Sequence, residues 1–365
     1  MKILAINPGS TSTKISVYEN DKQLFVENIT LDDKMLEKYP TIISQKELRK
    51  NQILNFVSEK GVSLSEIKAV VGRGGLVRHL TSGVYEINEQ YIYDATIGLN
   101  GQHASNLGGI LAFEIADEIG NGTKAFTVDP VVVDEMMPMA KLSGVPEITR
   151  LGSGHPLNHK AIARKYAKDR LKKYEDLNLI IAHIGGGITV AAHEKGKIID
   201  QNAALDGDGP FSPERAGRVN PGALIRMCFS GKYSEKEVYE KIVGKGGVYA
   251  YLGTKDMRDV VAMMQKGDGK AKLIFEAMCY NISKDIAGCA VALKGKIDGI
   301  ILTGGVSHGK MFCDQIQGLV SFLPGEFAVY AGEDEMESLS IGAYDAMTGD
   351  RTIKVYGAEN FVGEK

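Results

Sequence analysis

The sequence has little net charge, no apolar run of membrane length and no closely spaced cysteine pair. Its formal net charge is −3 over 365 residues and no basic block stands out, which argues against a nucleic-acid partner. No apolar run approaches the ~18 residues that a bilayer span requires, so no membrane partner is predicted. The cysteines lack C-x-x-C spacing, which is typical of buried thiols in a reducing cytoplasm. The chain enters a predicted strand without a charged leader, so we expect no signal peptide and a cytoplasmic location.

Glycine, by contrast, is abundant at 43 residues, and one glycine marks the most informative segment. An apolar run at residues 3–6 leads directly into residues 7–14, Asn-Pro-Gly-Ser-Thr-Ser-Thr-Lys. Gly9 lets the backbone approach an anion, the next residues offer hydroxyl donors, and Lys14 adds a positive charge. A second apolar run follows at once, so the turn joins two strands and is not a P-loop, which continues into a helix. The segment predicts either a phosphate-binding hairpin or an ordinary hairpin turn.

The same pattern recurs about half a chain length later. Residues 179–187 read strand then glycine turn, and both copies continue as strand, polar turn and strand. A later pair also matches, because residues 69–75 resemble residues 300–306 in the same order. The pattern favours an internal duplication over the unrelated strand–glycine junctions of an ordinary α/β protein.

Helical periodicity fills the gaps between these strands. Helices are predicted at residues 44–60, 104–119, 158–172, 234–243, 256–265, 271–293, 308–320 and 335–347. Alternating strands and helices are typical of the α/β class. Two similar halves with a phosphate-binding hairpin in each imply a nucleotide held in the cleft between them.

These segments resemble the motifs of the acetate and butyrate kinase family, phosphotransferases that share the duplicated fold of actin, sugar kinases and heat-shock protein ATPases. The resemblance covers nearly the whole chain. Its motifs occur in the family's order at residues 7–14, 72–75, 126–129, 155–160, 183–187, 256–259 and 303–306. Each motif is weak alone, but their common order makes the resemblance specific.

Several departures from acetate kinases point to the butyrate kinases within this family. The chain is shorter, His183 leads a glycine loop in which acetate kinases carry Asn, and residues 213–220 are compressed. The compression leaves two candidates for the family's second active-site arginine, Arg215 and Arg218. Counting back from Asn220 favours Arg215.

The resemblance implies an α/β, duplicated actin-like (ribonuclease H-like) fold with two domains and an interdomain nucleotide cleft. The first domain would comprise residues 1–130 plus 336–365 and form the acyl and phosphate side. The second, residues 131–335, would bind the nucleotide, so that the chain crosses between domains near positions 130 and 335. Family members are commonly homo-oligomers, dimers or larger.

The resemblance also implies an activity: an ATP-dependent carboxylate kinase that interconverts butanoate plus ATP with butanoyl phosphate plus ADP, using Mg²⁺. Its partners would be a short-chain carboxylic acid and ATP. Kinases for branched-chain fatty acids, propionate or acetate are close alternatives. A heat-shock- or actin-like ATPase and a sugar kinase are more remote ones.

Four catalytic residues follow from the matched motifs. Arg73 and Arg215 would clamp the two anions, since guanidinium binds carboxylate or phosphate bidentately; the alternative is an ordinary ion pair. A carboxylic acid acceptor is already ionised at neutral pH, so no base is needed and Asp129 is expected to hold Mg²⁺ through water or to hold an arginine in place. His155 would hydrogen-bond the transferring phosphoryl group, whereas His159 is expected to be structural.

Further residues are assigned to nucleotide and metal by the same resemblance. The phosphate ligands would be Ser10, Ser12, Lys14, His183, Gly185, Gly186 and Gly187. The adenosine ligands would be Asp256, Met257, Arg258, Gly304, Gly305 and Val306. Asn7 and Glu337 would form the metal site. A helix cap is the alternative for Asp256 and for Glu337.

The acyl pocket is the least defined part of the predicted site. Two apolar segments, residues 131–133 and 210–213, flank the candidate catalytic residues. They would either bind a short alkyl chain or pack in the core. Because one methylene is worth only about 1–3 kcal/mol in a pocket, several chain lengths are expected to be accepted.

Overall fold

A computed structural model of the chain describes residues 1–32, 36–205 and 207–363. The chain divides into two compact units, one formed by Met1–Asp134 with the segment from Asp334 onward and the other by Glu135–Glu333. The chain therefore passes between the units within a few residues of the predicted crossings. The assignment of an acyl side and a nucleotide side to these units stays a prediction.

The first unit is built on a mixed sheet. Its strands are β1 (Lys2–Pro8), β2 (Ser12–Glu19), β3 (Lys22–Thr30), β4 (Ile67–Gly72), β5 (Val84–Glu86), β6 (Lys124–Val128) and β12 (Ile353–Val355). Its helices are α1 (Lys46–Glu59), α2 (Glu89–Ile97), α3 (Asn106–Ile119) and α12 (Glu335–Thr348). Among the described residues the strands form a seven-stranded sheet in the order β12-β5-β6-β4-β1-β2-β3.

The second unit has a smaller sheet and more helices. Its strands are β7 (Asn178–Ile184), β8 (Ile188–Glu194), β9 (Lys197–Gln201), β10 (Gly299–Gly304) and β11 (Glu326–Ala331). Its helices are α4 (Pro138–Lys141), α5 (Pro156–Asp169), α6 (Pro221–Cys228), α7 (Glu235–Ile242), α8 (Gly247–Leu252), α9 (Met257–Gln265), α10 (Gly269–Ala292) and α11 (Lys310–Val320). The described strands pair in the order β11-β10-β7-β8-β9.

The two units repeat one strand connectivity, which confirms the predicted duplication. In the first unit β1, β2 and β3 form an antiparallel meander, and β1 also pairs in parallel with β4, which pairs in parallel with β6. In the second unit β7, β8, β9, β10 and β11 take the same positions in that order. The glycine turns after β1 and β7 therefore occupy equivalent places in the two sheets.

The core of the second unit lies between its sheet and its longest helix. Every residue of β7 is buried, as expected for a strand with parallel and antiparallel neighbours and covered faces. The helix α10 packs one face on this sheet, with Ile274, Met278 and Ile282 among its buried side chains. No helix among the described residues is both long enough and apolar enough to span a bilayer.

Close backbone packing holds the end of β4 in place in the first unit. A Cβ atom on Gly72 would lie 2.0 Å from the carbonyl oxygen of Gly108 in α3. A Cβ atom on Gly108 would lie 2.2 Å from the carbonyl oxygen of Arg73. Glycine at both positions lets helix and strand meet directly, and this contact fixes the backbone that carries Arg73.

The predicted helices all occur, with ends shifted by a few residues. The helix predicted from residue 158 begins at Pro156, because proline suits the first helical position. The short helices α2, α4, α6 and α8 were not predicted. Three cysteines are buried as expected, whereas Cys228 is exposed.

Candidate active site

The hairpin turn between β1 and β2 presents hydroxyl groups and a lysine at the surface of the first unit. The N–H of Gly9 donates to the carbonyl oxygen of Ser12 over 2.7 Å and closes the turn. Ser10 and Lys14 are exposed, and Ser12 is half-buried. The predicted strand–turn–strand arrangement is confirmed, and the hydroxyl and ammonium groups expected to bind phosphate are accessible.

Three polar side chains of the first unit meet where β1, β4 and α12 come together. Nδ2 of Asn7 donates to Oε2 of Glu335 over 2.6 Å, and Nη1 of Arg73 donates to the same oxygen over 2.9 Å. Oδ1 of Asn7 lies 3.4 Å from Nη1 of Arg73. The structure therefore brings together two predicted site residues and adds a glutamate that the sequence analysis did not name.

Glu337 lies two residues further along the same helix. Its backbone N–H donates to Oδ1 of the N-cap residue Asp334 over 3.3 Å. Burial raises the pKa of Tyr18 on β2, and the nearby charges of Asp334 and Glu337 add to this effect. The hydrogen bond to Asn7 comes from Glu335 instead, so Glu335 is a second candidate for the metal-binding glutamate, and the role of Glu337 stays a prediction.

Asp129, which follows β6, has a strained backbone and a buried carboxylate. Its φ of +40° lies in the left-handed region, which few residues other than glycine adopt and which recurs at functional sites. The carboxylate accepts hydrogen bonds from Oγ of Ser82 over 2.5 Å and from the N–H of Gly83 over 2.9 Å, and lies 3.4 Å from Nη2 of Arg351. No part of the side chain is accessible to solvent. Of the two predicted roles, this geometry favours holding an arginine over holding a hydrated metal.

Two of the predicted site histidines stack on each other in the second unit. The rings of His155, just before α5, and His183, in β7, lie 3.9 Å apart with their planes inclined by 13°. Nδ1 of His155 hydrogen-bonds Oγ1 of Thr189, and Nδ1 of His183 donates to Oδ1 of Asn158, both over 2.8 Å. Nε2 of His183 lies 3.1 Å from Oε1 of Glu333. Both nitrogens of His183 thus face oxygen acceptors, which fixes its orientation.

Two further histidines extend this stack into the core. The rings of His159 and His193 are nearly parallel, with 5.4 Å between centroids, and Nδ1 of His159 lies 3.2 Å from Nε2 of His193. The hydroxyl of Tyr174 hydrogen-bonds Nδ1 of His193 over 2.7 Å. Burial lowers the pKa of His159 to about 3 and that of His193 well below its ordinary value, so both rings are neutral at pH 7. This placement agrees with the structural role expected for His159.

The glycine loop after β7 lies against Arg215. A Cβ atom on Gly187 would come within 2.5 Å of Nη1 of Arg215, so a larger residue there would displace the guanidinium. The middle residue of the loop at 185–187 is exposed and the other two are buried. Arg218 is exposed and forms an ion pair with Asp285. The structure therefore places Arg215, rather than Arg218, beside the predicted phosphate loop.

Five of the six residues expected to bind adenosine line one cavity of the second unit, with a volume of about 910 Å³. Its walls include Asp256, Met257, Arg258, Gly305 and Val306. Cavities of this size are typical of small-molecule sites. Gly304 does not line the cavity; it ends β10 with a φ of +90° where a Cβ would lie 2.4 Å from the carbonyl oxygen of Ile184.

The capping alternative also holds for Asp256. Its Oδ1 accepts the N–H of Arg258 over 2.8 Å at the start of α9, and its carboxylate pairs with the Arg258 guanidinium. The hydrogen bonds from the Arg258 side chain and backbone lower the pKa of Asp256 to about 2. One residue therefore both caps a helix and lines the cavity, and the two interpretations are compatible.

The apolar segments considered for the acyl pocket belong mainly to the cores. Val132 and Val133 are each 1% exposed and pack in the core of the first unit. Phe211 is half-buried against the core of the second unit. The core-packing alternative is therefore right for these side chains, and they do not locate an acyl pocket.

A model of the acetokinase family matches residues 115–320, more than half of the chain. The chain belongs to the acetokinase family. It is 48% identical over 97% of its length to a Clostridium botulinum protein named "Probable butyrate kinase", of which 99% is covered. It is 49% identical, again over 97% of this chain and 99% of the relative, to "Butyrate kinase 2" of Clostridium acetobutylicum.

Several solved structures resemble this chain over most of its length. The crystal structure of Porphyromonas gingivalis acetate kinase gives a TM-score of 0.78 at 22% identity and covers 95% of this chain and 99% of that one. A propionate kinase from Francisella tularensis gives 0.74 at 20% identity, covering 93% and 98%. A sucrose-bound ROK family protein from Streptococcus pneumoniae gives 0.52 at 14% identity, covering 96% and 100%. These likenesses confirm the predicted duplicated, actin-like α/β fold.

Sequence reasoning missed three charged residues that contact predicted site residues. They are Glu333, Glu335 and Arg351, the partners of His183, Asn7 and Asp129 respectively. The acidic run at residues 333–337 signalled carboxylates near this position, but not which one points at which partner. No pattern in the sequence marks Arg351.

Proposed function

We propose that this protein catalyses the reversible reaction of butanoate and ATP to butanoyl phosphate and ADP. In the forward direction a carboxylate oxygen attacks the γ-phosphorus, and the bond to the β,γ-bridging oxygen breaks as ADP leaves. The observation that carries the proposal is the identity of 48–49% over 97% of the chain with proteins named butyrate kinase.

In the first unit, Arg73 supplies the positive charge that a reaction between two anions requires. Ser10, Ser12 and Lys14 present donors for phosphate oxygens at the adjacent turn. We assign Arg73 to the substrate carboxylate or the transferring phosphoryl group. Its hydrogen bond to Glu335 then orients the guanidinium in the absence of substrate.

The residues of the first unit also suit Mg²⁺. The carboxylate of Glu335 and the amide oxygen of Asn7 are hard oxygen donors, with Glu337 on the same helical turn. The described residues hold no group of three or more His, Cys, Asp or Glu side chains placed to bind a metal. This is compatible with Mg²⁺, which is usually held by one or two carboxylates together with water and substrate phosphates. When bound, it would neutralise phosphate charge.

In the second unit, the cavity at Asp256 and Gly305 is assigned to adenosine, and His183 with its glycine loop to the nucleotide phosphates. His155 and Arg215 would then donate to the transferring phosphoryl oxygens. The ring of His155 is held for this purpose by Thr189 and by stacking on His183. We also assign the protein to the cytoplasm as a homo-oligomer, a dimer or larger, which light scattering of the purified chain tests.

The decisive experiment is hydroxamate trapping of acyl phosphate with Mg-ATP and acetate, propionate, butanoate, isobutanoate or isovalerate. Highest turnover on butanoate supports the proposal. A maximum on a branched acid would keep the reaction and change the substrate. ATP hydrolysis without any trapped product would instead indicate an ATPase of the same fold, and phosphorylation of a sugar would indicate a sugar kinase.

A further inference from the structure

The structure assigns to Arg49 the role of a positioning residue for the phosphate-binding turn. Its buried guanidinium draws carbonyl groups of the turn inward, so that the N–H groups of Thr11 and Ser12 face an incoming phosphate. The inference rests on the proposed function in one respect, because it takes this turn to bind phosphate of the nucleotide or acyl phosphate.

Arg49 lies on the buried face of α1. Ile53 and Val57 follow at intervals of four residues and share that face, and Arg49 is only 1% exposed. A helix of this pattern would ordinarily place an apolar residue at the first of these positions. The guanidinium is therefore held under the hairpin by specific contacts and not by solvent.

Those contacts are made to the turn. Nη1 of Arg49 donates to the carbonyl oxygen of Ser12 over 2.9 Å and to Oγ1 of Thr13 over 2.8 Å. Nη2 donates to the carbonyl oxygen of Ser10 over 3.0 Å. Oε1 of Gln45 accepts from Nε and Nη2 and fixes the plane of the guanidinium. One planar group thus spans the turn from Ser10 to Thr13.

The direction of these carbonyls decides where the amides point. In a planar trans peptide the C=O and the following N–H point in opposite directions. With the carbonyl of Ser10 directed at Arg49, the N–H of Thr11 is directed away from it. The carbonyl oxygen of Thr11 also has a partner within the unit, because it accepts a hydrogen bond from the N–H of Leu31 over 2.8 Å. Successive amides that face outward form an anion-binding concavity.

The charge of Arg49 acts in the same sense. Within the part of the chain that the structure describes, its hydrogen bonds go to carbonyl, hydroxyl and amide oxygens and to no carboxylate. Burial lowers its pKa to about 10, so the group still carries its charge at pH 7. A buried positive charge without an acidic partner beneath a surface turn favours an anion on the turn.

The test compares Arg49→Met, Arg49→Lys and the control Lys50→Met by calorimetric titration with Mg-ATP and with adenosine. Lys50 is the next residue on α1, where its ion pairs within the described residues go to acidic groups on helices and not to the turn. We expect Arg49→Met to weaken Mg-ATP binding about tenfold or more and to leave adenosine binding unchanged. A small displacement of positioned donor groups is enough to lower affinity by this factor. Arg49→Lys should be intermediate, because one ammonium keeps the charge but cannot span both carbonyls. The control should bind both ligands as the unchanged protein does.

If Arg49→Met weakens the binding of both ligands equally, or of neither, the assignment is overturned. If Arg49→Lys binds Mg-ATP as tightly as the unchanged protein, the orienting role is overturned. Should Arg49→Met fail to fold, Gln45→Leu serves in its place, because it leaves the guanidinium present but unfixed and should weaken Mg-ATP binding selectively. The titrations do not require turnover. Absence of acyl phosphate from the unchanged protein would therefore refute the proposed function while the comparison of ATP with adenosine still decides the role of Arg49.

Discussion

Acidification should destabilise the second unit, because two of its buried histidines stay neutral in the folded state. Burial lowers the pKa of His159 to about 3 and that of His193 well below its ordinary value. In the unfolded chain each would bind a proton with a pKa of about 6.5. At pH values between the folded-state and the unfolded-state pKa, the unfolded state binds more protons than the folded state. The free energy of unfolding therefore falls as the pH falls below about 6.5.

The size of the effect follows from this difference in pKa. For one histidine with an unfolded pKa of about 6.5 and no folded-state protonation, the loss between pH 7 and pH 5 is about 2 kcal/mol. His159, whose folded-state pKa is about 3, should therefore cost about 2 kcal/mol over this interval, and His193 should add to this loss in the same direction. Since a domain is typically stable by about 5–15 kcal/mol, the change should be plain in an unfolding curve.

The assay is urea unfolding followed by circular dichroism at pH 7, 6 and 5. His193→Gln keeps groups that can accept from Tyr174 and donate to His159 but removes one titrating site. We expect this variant to be less stable at pH 7, yet to lose less free energy of unfolding than the unchanged protein between pH 7 and pH 5, by up to about 2 kcal/mol. The same exchange at exposed His308 is the control and should follow the unchanged protein. If His193→Gln loses as much as the unchanged protein, His193 is not held neutral by the fold.

Three predictions concern the proposed reaction. Arg215→Lys should lower kcat/KM about 100-fold, because it removes a bidentate donor. Arg218→Lys, at an exposed ion pair, should change kcat/KM less than about twofold. The reverse result would indicate Arg218 as the site arginine. Glu335→Gln should raise the Mg²⁺ concentration for half-maximal rate about tenfold, and a larger shift in Glu337→Gln would return the metal role to Glu337. Asp129→Asn should lower kcat about tenfold at every pH between 6 and 9, and a rate that depends on pH only in the unchanged protein would mark Asp129 as a base.

The sequence predicted the parts of this fold that depend on local pattern. An apolar run, a glycine turn and a second apolar run predict an antiparallel hairpin at any place in a chain, and the hairpins β1–β2 and β7–β8 form as expected. The repeat of that pattern in the same order revealed the duplication. The shift of one helix start to Pro156 is a local effect as well, and could have been anticipated from the preference of proline for the first helical turn.

Contacts between distant residues were beyond such reasoning. Glu335 meets Asn7 across 328 positions of the chain, and Arg351 meets Asp129 across 222. Spacing in the sequence does not report which of two glutamates on one helical turn faces a strand at the other end of the chain. The sequence did not locate the acyl pocket for a related reason. A run of valines has the same appearance in a core as in an apolar pocket.

The choice between carboxylate and sugar as acceptor depends on Asp129 rather than on the fold. The fold is shared with a ROK family protein, so it does not select the acceptor. A hydroxyl acceptor must lose a proton during transfer and needs an accessible base, whereas a carboxylate with a pKa of about 4–5 is already deprotonated at pH 7. In this chain the carboxylate of Asp129 is inaccessible, hydrogen-bonded to Ser82 and Gly83 and placed near Arg351. A carboxylate held in this way is suited to stabilising an arginine and poorly suited to taking a proton from substrate, which supports the carboxylate kinase over the sugar kinase.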